Sequence, residues 1–286
     1  MQFWVIQTLN SLALGGLLFL LSSGFSLIFG LMRMANLAHG VFFMLGAYLG
    51  ATLLDAGLDF WLAALGGGLL VALVGGLLER FVLRRLAGNE QGQVLVTLGV
   101  AFIVADLCLV VWGGDPIPVA APASLRAPLR MMGLAFPTYR LAVLAIAVIA
   151  AIALYLVMER TRIGAMIRAG VDDMAMARVV GIRVSRLFTA VFCLGAGLAG
   201  AGGVIGGPIM SAYPGLDSDM LPLALVVVIL GGVGSLIGSF VGSFIVGALA
   251  TFGPVLFPDL AYFVLFLPMV LVLVFLPRGL FGRTVP

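Results

Sequence analysis

Lysine is missing from this chain altogether; its 15 basic residues are all arginine. A Walker A loop needs its lysine on the phosphates and a Schiff-base mechanism needs one as nucleophile, so neither chemistry belongs to this chain, and it does not itself hydrolyse ATP as a P-loop protein. Histidine occurs once, as His39, and cysteine twice, as Cys108 and Cys193, each isolated in an apolar run. That leaves no spacing for a metal centre and no framework of disulfides. Charge is scarce as well: 9% of residues are charged against 63% hydrophobic, with a mean hydropathy of +1.26. A soluble domain of this length carries about a quarter charged residues. The soluble globular class is excluded, and the net charge of +3 concerns topology in a membrane rather than nucleic acid.

What is there is hydrocarbon, glycine and one polar island. Apolar runs of about 20 residues cross a bilayer as helices, because only internally hydrogen-bonded backbone survives in lipid. Such runs occupy residues 5–31, 60–79, 93–112, 139–158, 187–207 and 261–277. The first run has no basic segment before it and is too long for a signal peptide, so it reads as a membrane helix. Residues 36–54 begin with the polar Asn36 and His39 beside Gly40, a helix start tolerated at membrane depth only when buried in protein or lining a cavity. Residues 220–253 are too long for one span and are interrupted by GGVGSLIG at 231–238. Two short helices meeting at a glycine turn fit that pattern better than one rod. The 113–138 stretch, rich in Pro and Ala, reads as an irregular loop. These runs predict an all-α polytopic membrane protein of about eight to nine transmembrane helices, some broken or re-entrant, in a single transmembrane domain over residues 1–286. Gly195, Ala199, Gly203 and Gly207, and likewise Gly234, Gly238 and Gly242, recur at every fourth position and mark helix faces built for close packing.

The island spans residues 159–186 and carries Arg160, Arg162, Arg168, Arg178, Arg183 and Arg186 against Glu159, Asp172 and Asp173. Its punctuation predicts a helix ended by Gly170 in the left-handed conformation, a second helix capped by the Asp172 side chain, and a stop at Gly181. Met174, Ala177 and Gly181 then form a small-residue face for a partner to approach. If the island is inside, Arg33, Arg80, Arg84, Arg85, Arg278 and Arg283 are inside too, and only Arg126, Arg130 and Arg140 are outside. The positive-inside rule therefore predicts a cytoplasmic island and C-terminus.

Among candidate chemistries, one catalytic pattern is worth stating. His39 could pair with Ser235, Ser239 or Ser243 as an intramembrane serine hydrolase, but the serines recur at helical spacing and lack a GxSxG elbow, which argues against it. Asp106 lies inside a span; with no second intramembrane carboxylate to receive a proton, a helix-to-helix hydrogen bond or an interfacial position explains it better than a relay.

Three segments resemble a known family: NLAHGVFFMLGAYLG at 36–50, RTRIGAMIRAGVDDMAMARVVGI at 160–182 and LPLALVVVILGGVGSLIGSFVG at 221–242. Together, and in this order, they are similar to the permease subunits of bacterial branched-chain amino acid ABC importers, the LivH type; Ala35, where a bulkier aliphatic is the family habit, is a small departure. The resemblance implies an inner-membrane permease, not an enzyme, with no cofactor of its own and with ATP and Mg held by partner ATPases. It implies that loop 159–186 couples to those ATPases through Gly164, Arg168, Ala169, Asp172, Asp173, Ala177, Gly181 and Ile182. A pathway or gate is expected at the helix breaks, at Asn36, His39, Gly40, Gly232, Gly234 and Ser235. Expected partners are a second permease (LivM type or a second copy), two cytoplasmic ATPase subunits, a periplasmic solute-binding protein and membrane lipid. The same complex type also carries urea or short amides. An ion-driven secondary carrier is the rival from another class, and it leaves the island motif unexplained.

Overall fold

The computed structural model describes residues 2–32, 34–131 and 134–282; the side chains of Arg130, Met131, Leu134, Asp172 and Met174 also lie outside the described set. Among the described residues eleven α-helices are seen: α1 (Gln2–Met32), α2 (His39–Asp55), α3 (Phe60–Phe81), α4 (Glu90–Trp112), α5 (Thr138–Arg160), α6 (Arg162–Asp172), α7 (Met174–Val179), α8 (Val184–Met210), α9 (Leu216–Gly231), α10 (Leu236–Leu256) and α11 (Ala261–Phe275). Seven of the helical segments, those containing α1, α3, α4, α5, α8, α10 and α11, are long and apolar enough to cross a membrane. Among the described residues α2 is a further, shorter apolar helix, and α9, 16 residues long, is the other half of the broken 220–253 stretch, in line with the expected eight to nine. The 113–138 loop is more ordered than its composition suggests, for it folds a two-stranded antiparallel hairpin, β1 (Pro128–Met131) with β2 (Leu134–Pro137). Ile117 and Ala212 also exchange backbone hydrogen bonds of 2.7 and 2.9 Å, tying that loop to the α8–α9 connection.

Polar side chains start the helices where the sequence supplies them. Asp59 accepts from the Trp61 N–H at 2.9 Å, Asn89 from Gly92 at 2.9 Å, Thr161 from Gly164 at 3.2 Å and Ser235 from Gly238 at 3.0 Å, each satisfying an orphan donor of a first turn. Between caps, burial sorts the helices. The most apolar window of α1 is 83% buried, while those of α4 and α5 are 17% buried and that of the last span 6%. α1 and α2 are therefore the core, and α4, α5 and α11 present apolar faces outward, as helices surrounded by lipid do.

Glycine makes this core possible. A Cβ at Gly24 of α1 would lie 2.5 Å from the Gly195 carbonyl oxygen of α8, and one at Gly200 of α8 would lie 2.6 Å from Val71 of α3. Without side chains at these points the backbones pack directly, which is the main route to helix association where lipid removes the hydrophobic drive. α3 and α8 run antiparallel in contact along most of their lengths, from Gly67 against Val204 to Gly75 against Ala196.

One end of the bundle gathers the ends of α1, α3 and α5 with the starts of α4, α8 and α10. Described arginines collect there: Arg80, Arg84, Arg85, Arg278 and the six of the island, with Arg126 and Arg140 at the opposite end. Arg33 and Arg283 lie outside the described residues.

Candidate functional site

The island folds as two helices, and its break is one residue later than the sequence suggests. α6 continues through Gly170, which is not left-handed; the glycine is there because the Leu31 and Leu187 side chains pack against it, 3.1 and 3.5 Å from where a Cβ would be. The cap of α7 is Asp173, whose Oδ1 accepts from Ala175 N–H at 2.9 Å and Met176 N–H at 3.0 Å. Asp172 is the last residue of α6, and its side chain lies outside the described set. Adjacent aspartates gave the sequence no means of choosing between them. Replacing Asp173 by alanine is expected to cost about 1 kcal/mol locally, seen as roughly fivefold faster amide exchange at Ala175 and Met176. Gly181 ends α7 as expected, with φ at +87°. Gly181 N–H donates to Arg178 and Ile182 N–H to Ala177, both at 3.0 Å, the paired bonds of a Schellman stop.

The other residues expected to couple hold the loop's shape. Gly164 permits the sharp α5–α6 corner, since a Cβ there would sit 2.5 Å from the Val157 carbonyl oxygen. Arg168 Nη1 lies 3.4 Å from Glu159 Oε2, bridging the same corner, and the Ala169 carbonyl accepts from Asp173 N–H at 3.0 Å. Ala177 is only 2% exposed, so it faces the rest of the chain and not outward. The face turned to solvent is a different one. Met176 is 59% exposed, Val179 80% and Val180 69%, an apolar tip among arginines. The signal for it was present in the sequence as the only apolar pair at the end of α7.

At the first helix break, His39 Nε2 lies 2.9 Å from the Leu21 carbonyl oxygen. A carbonyl only accepts, so Nε2 carries the proton and Nδ1 is left as an acceptor. Leu21 is 11 residues (32 − 21) before the end of α1, about 16 Å at 1.5 Å per residue. α2 therefore starts deep in the bundle, not at its surface. Asn36 Oδ1 accepts from Ala38 N–H at 3.1 Å and Leu37 N–H donates to Thr97 Oγ1 at 3.2 Å, so side chains replace water for this non-helical backbone. Asn36 and His39 are fully buried, and Gly40 packs on the first turn of α9, where a Cβ would meet the Asp217 carbonyl oxygen at 2.8 Å.

The second break is placed as the sequence indicates, between Gly231 and Leu236. Gly232 and Gly234 take positive φ of 101° and 74°. Gly234 lies against Gly30 of α1, and the turn is sealed by the last described residues, with Leu280 N–H donating to Leu230 at 2.9 Å and Phe281 N–H to Gly231 at 3.0 Å. The two breaks meet α1 at Leu21 and Gly30, nine residues apart (30 − 21), about 13 Å along the helix. They are two stations on α1 and not one site. A cavity of about 570 Å³ beside the first break is lined by Phe29, Met34, Ala35 and the start of α4.

Each candidate hydrolase serine is engaged locally. Ser235 Oγ accepts from Gly238 N–H, Ser239 Oγ donates to Ser235 and Ser243 Oγ to Phe240, while His39 is held on α1. The structure assembles no serine–histidine pair from them. Asp106 is exposed on α4, six residues from its end at Trp112.

A core of backbone-packed helices, two partial helices and an arginine-rich loop define a multi-pass membrane permease. The family described as branched-chain amino acid transport system, permease component, matches residues 7–273, and the chain belongs to it. It is 28% identical over 292 residues to the high-affinity branched-chain amino acid transport system permease protein BraD of Pseudomonas aeruginosa, covering 97% of this chain and 95% of BraD. Against the corresponding permease LivH of Escherichia coli it is 26% identical over 300 residues, covering 98% and 96%. The autoinducer 2 import system permease protein LsrC of an Enterobacter species is 29% identical over 174 residues, covering 56% of this chain and 50% of LsrC. The chain is thus a transport permease of the inner membrane.

Proposed function

We propose that this chain forms the translocation pathway of an ATP-binding cassette importer for branched-chain or other small amino acids, driven by separate ATPase subunits that bind loop 159–186. The observation that carries this reading is the island's tip. A water-facing loop that exposes Met176, Val179 and Val180 together is built to be covered by protein. The segregation of described arginines to the same end of the bundle supports a cytoplasmic location for that tip and for the C-terminal segment. The partners in this reading are a second permease, LivM-like or a second copy, two ATPases that hold ATP and Mg, and a periplasmic binding protein that delivers the solute. The breaks at Asn36, His39 and Gly40 and at Gly232, Gly234 and Ser235 act as gates, because partial helices pivot where their backbone bonds are already interrupted.

Branched-chain amino acids are favoured as cargo because the relatives matched along nearly the whole chain, BraD and LivH, are named for them. LsrC, matched over half the chain, is named for a solute that is not an amino acid, and the second reading keeps the same complex type with urea or short amides as cargo. Proteoliposomes with this chain, its partner subunits and its binding protein should accumulate leucine, isoleucine or valine only when ATP is supplied to the ATPase side. Accumulation on a proton or sodium gradient with the permease alone would overturn the importer reading.

A further inference from the structure

Beside the island lies a half-buried ionic triangle. Glu79, near the end of α3, is 1% exposed. Its Oε2 lies 2.9 Å from Arg84 Nη2, and its Oε1 accepts from Arg84 Nε at 3.3 Å. Thr189 of α8 closes the figure: its hydroxyl donates to Glu79 Oε2 at 2.6 Å and accepts from Arg84 Nη2 at 2.5 Å. The same Arg84 nitrogen reaches the Ser185 carbonyl oxygen at 3.1 Å, in the first turn of α8. That helix start has no side-chain cap of its own from Arg183. Its first turn is instead fastened from outside, by a side chain of the 3-10 turn Leu83–Leu86 that follows α3.

We propose that Glu79, Arg84 and Thr189 are positioning residues that lock α3 to α8, so that a displacement of loop 159–186 moves the two helices as one lever. The proposal rests on the loop's coupling role, and adds which span is driven. Two further features support it. The last residues of the island, 184–186, are already the first turn of α8, so the loop's motion enters the membrane along that helix. From there, the Gly76–Cys193, Gly75–Ala196 and Gly68–Gly197 approaches hold α3 and α8 side by side through small residues only. Without the triangle the pair would be held by small-residue packing alone, which resists compression but not sliding.

The test uses the assembled importer. Thr189→Val removes only the bridge. The double change Glu79→Met with Arg84→Met removes both charges together, which avoids leaving one of them buried and unpaired. Both variants should assemble with the ATPases, and both should move at least about tenfold less amino acid per ATP hydrolysed, a size typical of lost coupling between sites. A ratio equal to wild type in both variants would overturn the lock. Spin labels at Val82→Cys and Arg186→Cys, with Cys108 and Cys193 changed to alanine, give a second measurement that leaves the Glu79–Arg84–Thr189 triangle itself intact. The distance between them should stay constant through the ATP cycle; a change of about 5 Å, one helical turn, would show that the helices slide past each other and end the proposal. If the wild-type complex itself shows no ATP-dependent uptake, it is the importer reading that has failed, while the spin-label distance still decides whether α3 and α8 are locked.

Discussion

Replacing Gly46 by valine is expected to leave no folded protein, whereas replacing Gly99 by alanine should be neutral or slightly stabilising. Both glycines sit inside apolar helices, and nothing in composition separates them. At Gly46 of α2 a Cβ would fall onto the Gly200 carbonyl and lie 2.6 Å from its carbon, while a Cβ at Gly200 would strike Val71. Three helices thus close on one point, and a branched side chain can be admitted only by parting the backbones that define the core. Such a change belongs with the exceptional losses of about 4 kcal/mol or more. A Cβ at Gly99 of α4 would meet nothing within 4 Å, and alanine is favoured over glycine in a helix by about 1 kcal/mol. Size-exclusion profiles and thermal melting of the detergent-solubilised chain measure both. A monodisperse, normally melting Gly46→Val protein would mean that α2, α3 and α8 do not converge as described.

The same glycines show what was and was not legible in the sequence. Fourfold spacing of Gly195, Ala199, Gly203 and Gly207 announced a packing face, and each position is buried against a neighbour. Spacing could not say which neighbour. Gly195 meets α1, Gly203 meets the α2 backbone at Phe43 and Gly207 meets Val119, so one stripe serves three partners. Gly200, off the stripe, is as tightly placed as Gly195: a Cβ there would lie 2.6 Å from Val71, against 2.7 Å from Ile28 at Gly195. Helix existence was readable because about 20 apolar residues in a row have one stable solution in lipid. Depth was not. Nothing local to residues 36–40 says that α2 starts beside Leu21, because that position depends on what α1 offers from 18 residues away (39 − 21).

For the candidate site, turn chemistry was read well where one residue had to do the work and poorly where two could. Gly181 and the 231–236 break depend on positive φ that glycine alone takes without strain, and both stand where the sequence put them. Gly170 carried the same composition signal for a different reason, close packing by Leu31 and Leu187, and so was misread as a stop. The Glu79–Arg84–Thr189 triangle was invisible for a different reason: Thr189 is 110 residues from Glu79, and an arginine near a helix end looks like any other topology signal.

Substituting aspartate for both Val179 and Val180 is expected to abolish amino acid uptake while leaving the permease folded. The two side chains are 80% and 69% exposed and touch no core, so the fold has little to lose. In the importer proposed above they would be covered by an ATPase surface. Burying a valine there contributes about 1.5–3 kcal/mol, and the pair about 3–6 kcal/mol, or two to four orders of magnitude in dissociation constant. Aspartates at the same positions add the penalty of desolvating charge, which pushes the loss further in the same direction. The permease should purify normally without its ATPases, with ATP-driven uptake reduced at least about a hundredfold. A milder control, Ile163→Asp, removes an exposed apolar side chain from the start of α6 and away from the tip, and should leave uptake near wild type. Equal damage at both places would mean that the island tolerates no added negative charge anywhere and acts through its field. Damage confined to the tip assigns the contact to Val179 and Val180, the step at which work done on the ATPases first becomes movement of α8.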